Sequence, residues 1–322
     1  MGEFQSIGQW WMWASFGLFV IAMLAIDIFA LDRKGAHKVS PKEALVWSLI
    51  WFTLALAFGG ALWVWLDHTS GRTIADAKAM EYLTGYLLEK TLAIDNIFVF
   101  VMLFSYFSVP IQYQKRVLVY GVLGAIILRG LMILVGAWLI AEFHWILYLF
   151  GAFLLVTGIK MFIFADKEPN LANNKLLIWL RSHMRITDDY HGDKFWVVKK
   201  GVLWFTPMFL VLILVEISDV IFAMDSIPAI FAITSDPFIV FTSNIFAILG
   251  LRALYFLLAD MANRFHLLKY GLAIILMFVG TKMLIVEWFK IPVAVSLSVV
   301  VAVLSISIIL SLKATRSNSS NR

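Results

Sequence analysis

Val215-Glu216-Ile217-Ser218-Asp219-Val220-Ile221-Phe222-Ala223-Met224-Asp225-Ser226-Ile227-Pro228 places three carboxylates inside a run that is otherwise apolar from Phe209 to Ile233. A second stretch, Glu89-Lys90-Thr91-Leu92-Ala93-Ile94-Asp95-Asn96-Ile97-Phe98, does the same earlier in the chain. Ionisable groups deep in a bilayer are costly, so they are rare and mark functional sites. The two stretches are expected to face each other and to hold a metal cation in transit.

The bilayer itself is implied by composition. Of the 322 residues 62% are hydrophobic, with mean hydropathy +0.89, against roughly 45–50% in soluble domains. Cysteine is absent, which excludes disulfides and thiolate metal sites. The net charge of +5 follows membrane topology rather than signalling a nucleic-acid partner. A helix needs about 20 apolar residues to cross the hydrocarbon. Nine such runs occur, at about 9–31, 45–66, 78–105, 117–141, 145–165, 207–232, 238–259, 267–288 and 291–312. The expected fold is an all-α polytopic membrane protein with nine transmembrane helices. It forms a single transmembrane domain over 1–312, followed by a disordered cytoplasmic tail at 313–322.

Basic residues set the orientation. Eighteen of the Lys and Arg residues in connections fall on one side, among them Arg33, Lys34, Lys115, Arg116, Arg181, Lys199, Lys200 and Lys313; only Arg72, Lys78 and Lys290 fall on the other. The positive-inside rule puts the N-terminus outside and the C-terminus in the cytoplasm. Arg33-Lys34 follow the first apolar run, the reverse of a signal peptide, so that run reads as a retained helix. Asp27, close to Asp32 and Arg33 at the end of that run, is read as snorkelling to the interface.

Helices 3–5 (about 76–165) and 6–8 (about 206–288) read as two copies of one unit. At an offset of 130, Glu89 falls on Asp219, Asp95 on Asp225 and Asn96 on Ser226. At 123, Arg129 falls on Arg252 and Gly121 on Asn244; at 122, Gly158-Ile159-Lys160-Met161 falls on Gly280-Thr281-Lys282-Met283. Three helices per unit is an odd number, so the second copy enters from the opposite side. Such inverted repeats are typical of secondary transporters with a site near the midplane. Thr206-Pro207 is the expected start of helix six, and Asp76 the expected cap of helix three. Asp219 and Glu89 lie 13 residues beyond them, or ~20 Å at 1.5 Å per residue. Pro228 is expected to break or kink helix six. The cytoplasmic loop 166–200 includes Leu176–Arg181, read as a short amphipathic surface helix.

Residues seven apart share a helical face: Glu89 with Asn96, Asp219 with Ser226, Ser218 with Asp225. An oxygen-rich shell of this kind suits hard divalent ions. All six histidines lie in or next to connections, which disfavours Zn²⁺, copper and Ni²⁺. Met224 offers a soft thioether that would favour Mn²⁺, although a gap-filling role is the more common one. Glu89, Asp95, Glu216, Asp219 and Asp225 carry five negative charges against Lys90, Arg129 and Arg252. One divalent ion, or two protons, would balance the remainder. The arginines also read as interhelical ion pairs, and Asn244 as either a ligand or an interhelical hydrogen bond.

These residues resemble the TerC family of membrane proteins, most closely its Alx branch. The resemblance lies in EKTLAIDNIFVF (89–100), SYFSVP (105–110), LVEISDVIFAMDSIPAIFAIT (214–234), Asp236–Ala259 and KIPVAVSL (290–297). It implies a nine-helix protein of the bacterial inner membrane, related to the lysine-exporter superfamily. It also implies export of Mn²⁺, with Glu89, Asp95, Glu216, Asp219 and Asp225 as ligands. No organic cofactor is expected, protons are the expected counter-ion, and the oligomeric state is open. Two other readings compete. A metal-homeostasis or redox partner would act without net flux. An intramembrane aspartyl protease would need two aspartates sharing a proton, but the Gly-x-Gly-Asp segment of the known type is missing, so an enzyme is not expected.

Overall fold

A computed structural model describes residues 6–34, 40–143, 145–163, 175–258, 267–289 and 291–320. Within these, the side chains of Asp27 and Asp95 lie outside the described set. The helices are α1 (Trp10–Lys34), α2 (Pro41–Ser70), α3 (Arg72–Tyr106), α4 (Ile111–Glu142), α5 (Ile146–Ile163), α6 (Lys175–His183), α7 (Pro207–Phe231), α8 (Pro237–Leu249), α9 (Leu251–Leu258), α10 (Leu268–Leu284) and α11 (Val293–Ser320). Every apolar run read from the sequence falls on a helix, or on the α8–α9 pair for 238–259. Leu18, Leu49, Leu134, Trp138, Val156 and Ile306 are among many large apolar side chains left on the outside. A water-soluble surface does not carry so many, and the protein is a multi-pass membrane protein.

Among the described residues five helices are long and apolar enough to cross a bilayer: Lys42–Ser70, α4, α5, α7 and Val293–Ser311. A sixth is added if α8 and α9, bent by 40° at Gly250, form one span. In α1 the described apolar stretch is Trp10–Ile26. Helix α10, with 17 residues, is short, and α3 carries too many charges.

Several ends are set by local chemistry. The Ser40 side chain accepts from the Glu43 amide at 3.2 Å, with Pro41 at the first helical position. Asp236 caps α8 by accepting from Phe238 N at 3.0 Å. Other ends differ from expectation. Thr206 does precede α7, but its hydroxyl donates to Lys194 O instead of capping. Helix α3 begins at Arg72, so Asp76 sits inside the helix, one turn on, accepting from Trp63 Nε1 and pairing with Arg72. Pro228 does not interrupt α7, which runs on to Phe231; the bend lies in α8–α9. Helix α11 continues to Ser320, where composition suggests a disordered tail, because adding residues to an existing helix is cheap.

The loop also holds more than one helix. After α6 come β1 (Trp196–Lys199) and β2 (Val202–Phe205), an antiparallel hairpin turning at Lys200-Gly201. Both turn residues have positive φ, 50° and 76°, as a two-residue hairpin turn requires. Leu177 and Leu180 of α6 are buried beside Phe195 and Met208, so α6 packs on the protein through one face and exposes Ile178 and Trp179 on the other.

In the bundle, α3 packs on α2, α7, α8 and α11, while α4 packs on α7 and α8. The most extensive pairing joins α5 to α10. It is made by glycines: a Cβ on Gly158 would lie 2.9 Å from Ala273 O, and one on Gly280 2.6 Å from Leu155 N. Backbones that approach this closely leave room for hydrogen only.

Candidate metal centre

Arg129 is the hub. It is 1% exposed, at mid-length in α4. Its Nε and Nη2 donate to the two oxygens of Asp219 at 3.0 and 2.7 Å. Its Nη1 donates to Glu89 Oε1 and reaches Ser226 Oγ and Asn244 Oδ1 at 3.5 Å each. Four helices, α3, α4, α7 and α8, therefore meet on one guanidinium. Glu89, Asp219, Ser226 and Asn244 are all buried. The planar fork of arginine suits bidentate binding of a carboxylate, and only such pairing makes burial of these charges tolerable.

Beside this hub lies a cavity of about 300 Å³. Asn96, Arg129, Thr157, Lys160, Asp225 and Ser226 line it together with apolar side chains of α3, α5, α7 and α10. Asp225 is half-buried and faces Thr157 of α5 across the cavity wall. Two buried oxygens nearby, Glu89 Oε2 and Asn96 Oδ1, have no hydrogen-bond partner among the described residues, nor has Asn244 Nδ2. Buried polar atoms are nearly always paired, so unpaired oxygens around a cavity are available to a cation.

The expected site residues separate into groups. Glu89, Asp219, Ser226 and Asn244 share Arg129. Asp225 and Asn96 join Ser226 and Arg129 around the cavity. Glu216 lies one turn before Asp219 and faces α4 where Gly124 leaves space; a Cβ there would overlap its carboxylate. Arg252 is buried and borders a small void next to Asp219 and Gly121. Two further candidates lie outside the cavity wall. Met224 is 50% exposed and absent from the cavity wall, because neighbours on a helix point about 100° apart. Ser218 donates to Leu214 O in its own helix. Among the described residues no three acidic or histidine groups converge as a ready-made metal shell. The acids form a ladder along α7 instead. Asp219 and Asp225 have different partners, Arg129 and Thr157, rather than each other. Thr157 went unnoticed in the sequence, although it precedes the repeated Gly158-Ile159-Lys160-Met161.

A second polar cluster lies where α3 begins and α7 ends. Glu81 Oε2 accepts from Lys78 Nζ at 2.9 Å and from Thr234 Oγ1 at 2.5 Å. Lys282, buried and within electrostatic reach of Glu81, donates to Ser296 Oγ at 2.9 Å. These contacts tie α3, α10, α11 and the turn after α7 together.

The chain is 58% identical to the "Putative membrane-bound redox modulator Alx" of Escherichia coli K12 over 305 residues, 95% of each chain. The protein of that name from Salmonella typhi is 56% identical over 95% of each chain. An uncharacterized membrane protein of Myxococcus xanthus is 48% identical over 97% of this chain and 95% of its own. No solved structure matches. Residues 74–319 match the family described as "Integral membrane protein TerC family", and on that span, α3 to α11, the chain belongs to the TerC family of integral membrane proteins.

Proposed function

We propose that the protein is a secondary transporter that exports a divalent metal ion, Mn²⁺ in the first instance, in exchange for protons. The observation that carries this reading is the cavity beside Arg129. It combines a carboxylate, Asp225, with the neutral oxygens of Asn96, Ser226 and Thr157 inside an apolar bundle. Hard divalent ions prefer such donors. Glu89 and Asp219 act as reserve ligands, held by Arg129 until cargo arrives.

In this reading the chain crosses the bacterial inner membrane nine times, N-terminus outside and C-terminus inside. Two inverted repeats, α3–α5 and α7–α10, build the site. The packing supports the symmetry: α3 on α8 mirrors α4 on α7, α3 on α10 mirrors α5 on α7, and α5 pairs with α10. The cavity is lined by Leu92 and Asn96, past the midpoint of α3, and by the last two turns of α5, the end nearest the 166–200 loop. The Glu81 cluster closes the opposite end. That is the arrangement of an inward-facing state in alternating access.

Protein reconstituted in vesicles with an imposed proton gradient should move Mn²⁺ in preference to Mg²⁺, and Asp225→Asn should stop the flux. Vesicles no more permeable to Mn²⁺ than empty ones would overturn transport. That result would leave the second reading, a membrane partner without flux, to which the name of the relatives points. With no cysteine in the chain, such a role would not use its own thiol chemistry.

A further inference from the structure

We infer that the β1–β2 hairpin is an interfacial anchor for anionic lipid headgroups. The register pairs Trp196 with Phe205 and Val198 with Leu203. Side chains alternate between faces of a strand, so these four residues share one face. Trp196, Val198 and Leu203 are 55%, 69% and 47% exposed among the described residues, so all of this apolar face but Phe205 is largely uncovered.

The hairpin is fixed at bilayer level. Thr206 N donates to Phe195 O at 2.9 Å, Phe205 N to Arg185 O and Thr187 N to Phe205 O, both at 2.8 Å. Phe205 stacks on Phe209, in the first turn of α7, at 4.5 Å between ring centroids. Helix α7 is among those apolar enough to cross the membrane. Trp196, opposite Phe205, therefore stands at the mouth of a membrane helix. A four-residue strand reaches only about 13 Å from there.

Charge selects the lipid. Lys194, Lys199 and Lys200 are exposed, and no acid occurs between Lys194 and Thr206. Tryptophan favours the headgroup layer, and clustered lysines beside a membrane helix attract anionic lipid. The apolar face lies against the acyl boundary while the lysines meet phosphate. This inference stands independently of the transport reading.

The absence of cysteine allows a single label on the full-length protein. Val198→Cys carrying an environment-sensitive fluorophore would be placed in nanodiscs of phosphatidylcholine, with or without phosphatidylglycerol. Asp188→Cys, in the exposed part of the loop, is the water-facing reference. At Val198 the expected result is blue-shifted emission and quenching by nitroxide lipid. That quenching should strengthen with phosphatidylglycerol and weaken roughly twofold or more in Lys199→Gln/Lys200→Gln. Iodide quenching equal to that at Asp188 in both lipids would show a water-facing surface and overturn the anchor. Lipid quenching unaffected by phosphatidylglycerol would overturn the headgroup preference.

Discussion

Replacing Arg129 with Met should be the most damaging single change in the bundle. It removes the bidentate contacts to Asp219 and the contact to Glu89, leaving two buried carboxylates without their cation. Breaking a buried pair by deleting one partner costs about 3–5 kcal/mol. At roughly 2–4 °C per kcal/mol for larger domains, the melting temperature in detergent should fall by roughly 6–20 °C. Arg129→Lys should lie between wild type and Arg129→Met, because a point charge cannot reproduce the fork. The triple variant Arg129→Met/Glu89→Gln/Asp219→Asn should recover much of the loss, since neutral side chains need no counter-charge. Thermal unfolding followed by residual monodisperse protein on size exclusion reads all three. An Arg129→Met protein melting within about 2 °C of wild type, or a triple variant as unstable as the sum of its parts, would refute the hub.

Three further outcomes test other parts. Asp225→Asn should abolish Mn²⁺ flux at unchanged membrane abundance, while Met224→Leu should leave the Mn²⁺ to Mg²⁺ ratio unchanged; a changed ratio would bring Met224 into the path. Gly158→Val should push against the backbone of α10 and cost at least about 1–3 kcal/mol by overpacking, measured as a lower melting temperature, whereas Gly60→Ala, with open space around it, should melt like wild type. Tyr190 donates to Phe107 O at 2.6 Å, and burial raises its pKa above the usual value. The stabilisation it lends the loop is full below the unfolded value, about 10, and fades as pH climbs through the higher folded one. Protease cleavage of the loop should therefore accelerate at strongly alkaline pH in wild type, and Tyr190→Phe should flatten that rise.

The membrane helices were legible because length and apolarity are properties of a segment by itself. The shared face of Asp219 and Ser226 was legible too, since helical spacing fixes it. Which helix such a face meets is another matter. Arg129 reads from sequence as a bridge between helices, but nothing in spacing says that Glu89 and Asp219 both bridge to it while Asp225 turns to Thr157. Met224 shows the converse: next to Asp225 in sequence, it turns about 100° away and is not on the cavity wall. The hairpin escaped notice because four-residue strands carry little periodicity and Lys200-Gly201 lacks the usual Asn-Gly or Asp-Gly turn signal. Asp76 looked like a cap on repeat alignment, yet Gly71, with φ of 88°, ends α2 and starts α3 five residues earlier.

The close approach of α5 and α10 limits how the molecule can move. Sliding one past the other would replace Gly151 and Gly158 of α5 by bulkier residues against Met283, Met277 and Ala273 O of α10, and Gly280 of α10 by bulkier residues against the Leu155 main chain, so shear along this seam is blocked. The two helices must travel as a single rod, and any rearrangement that exposes the cavity to the far side has to be a hinge rotation of that rod against α3 and α7.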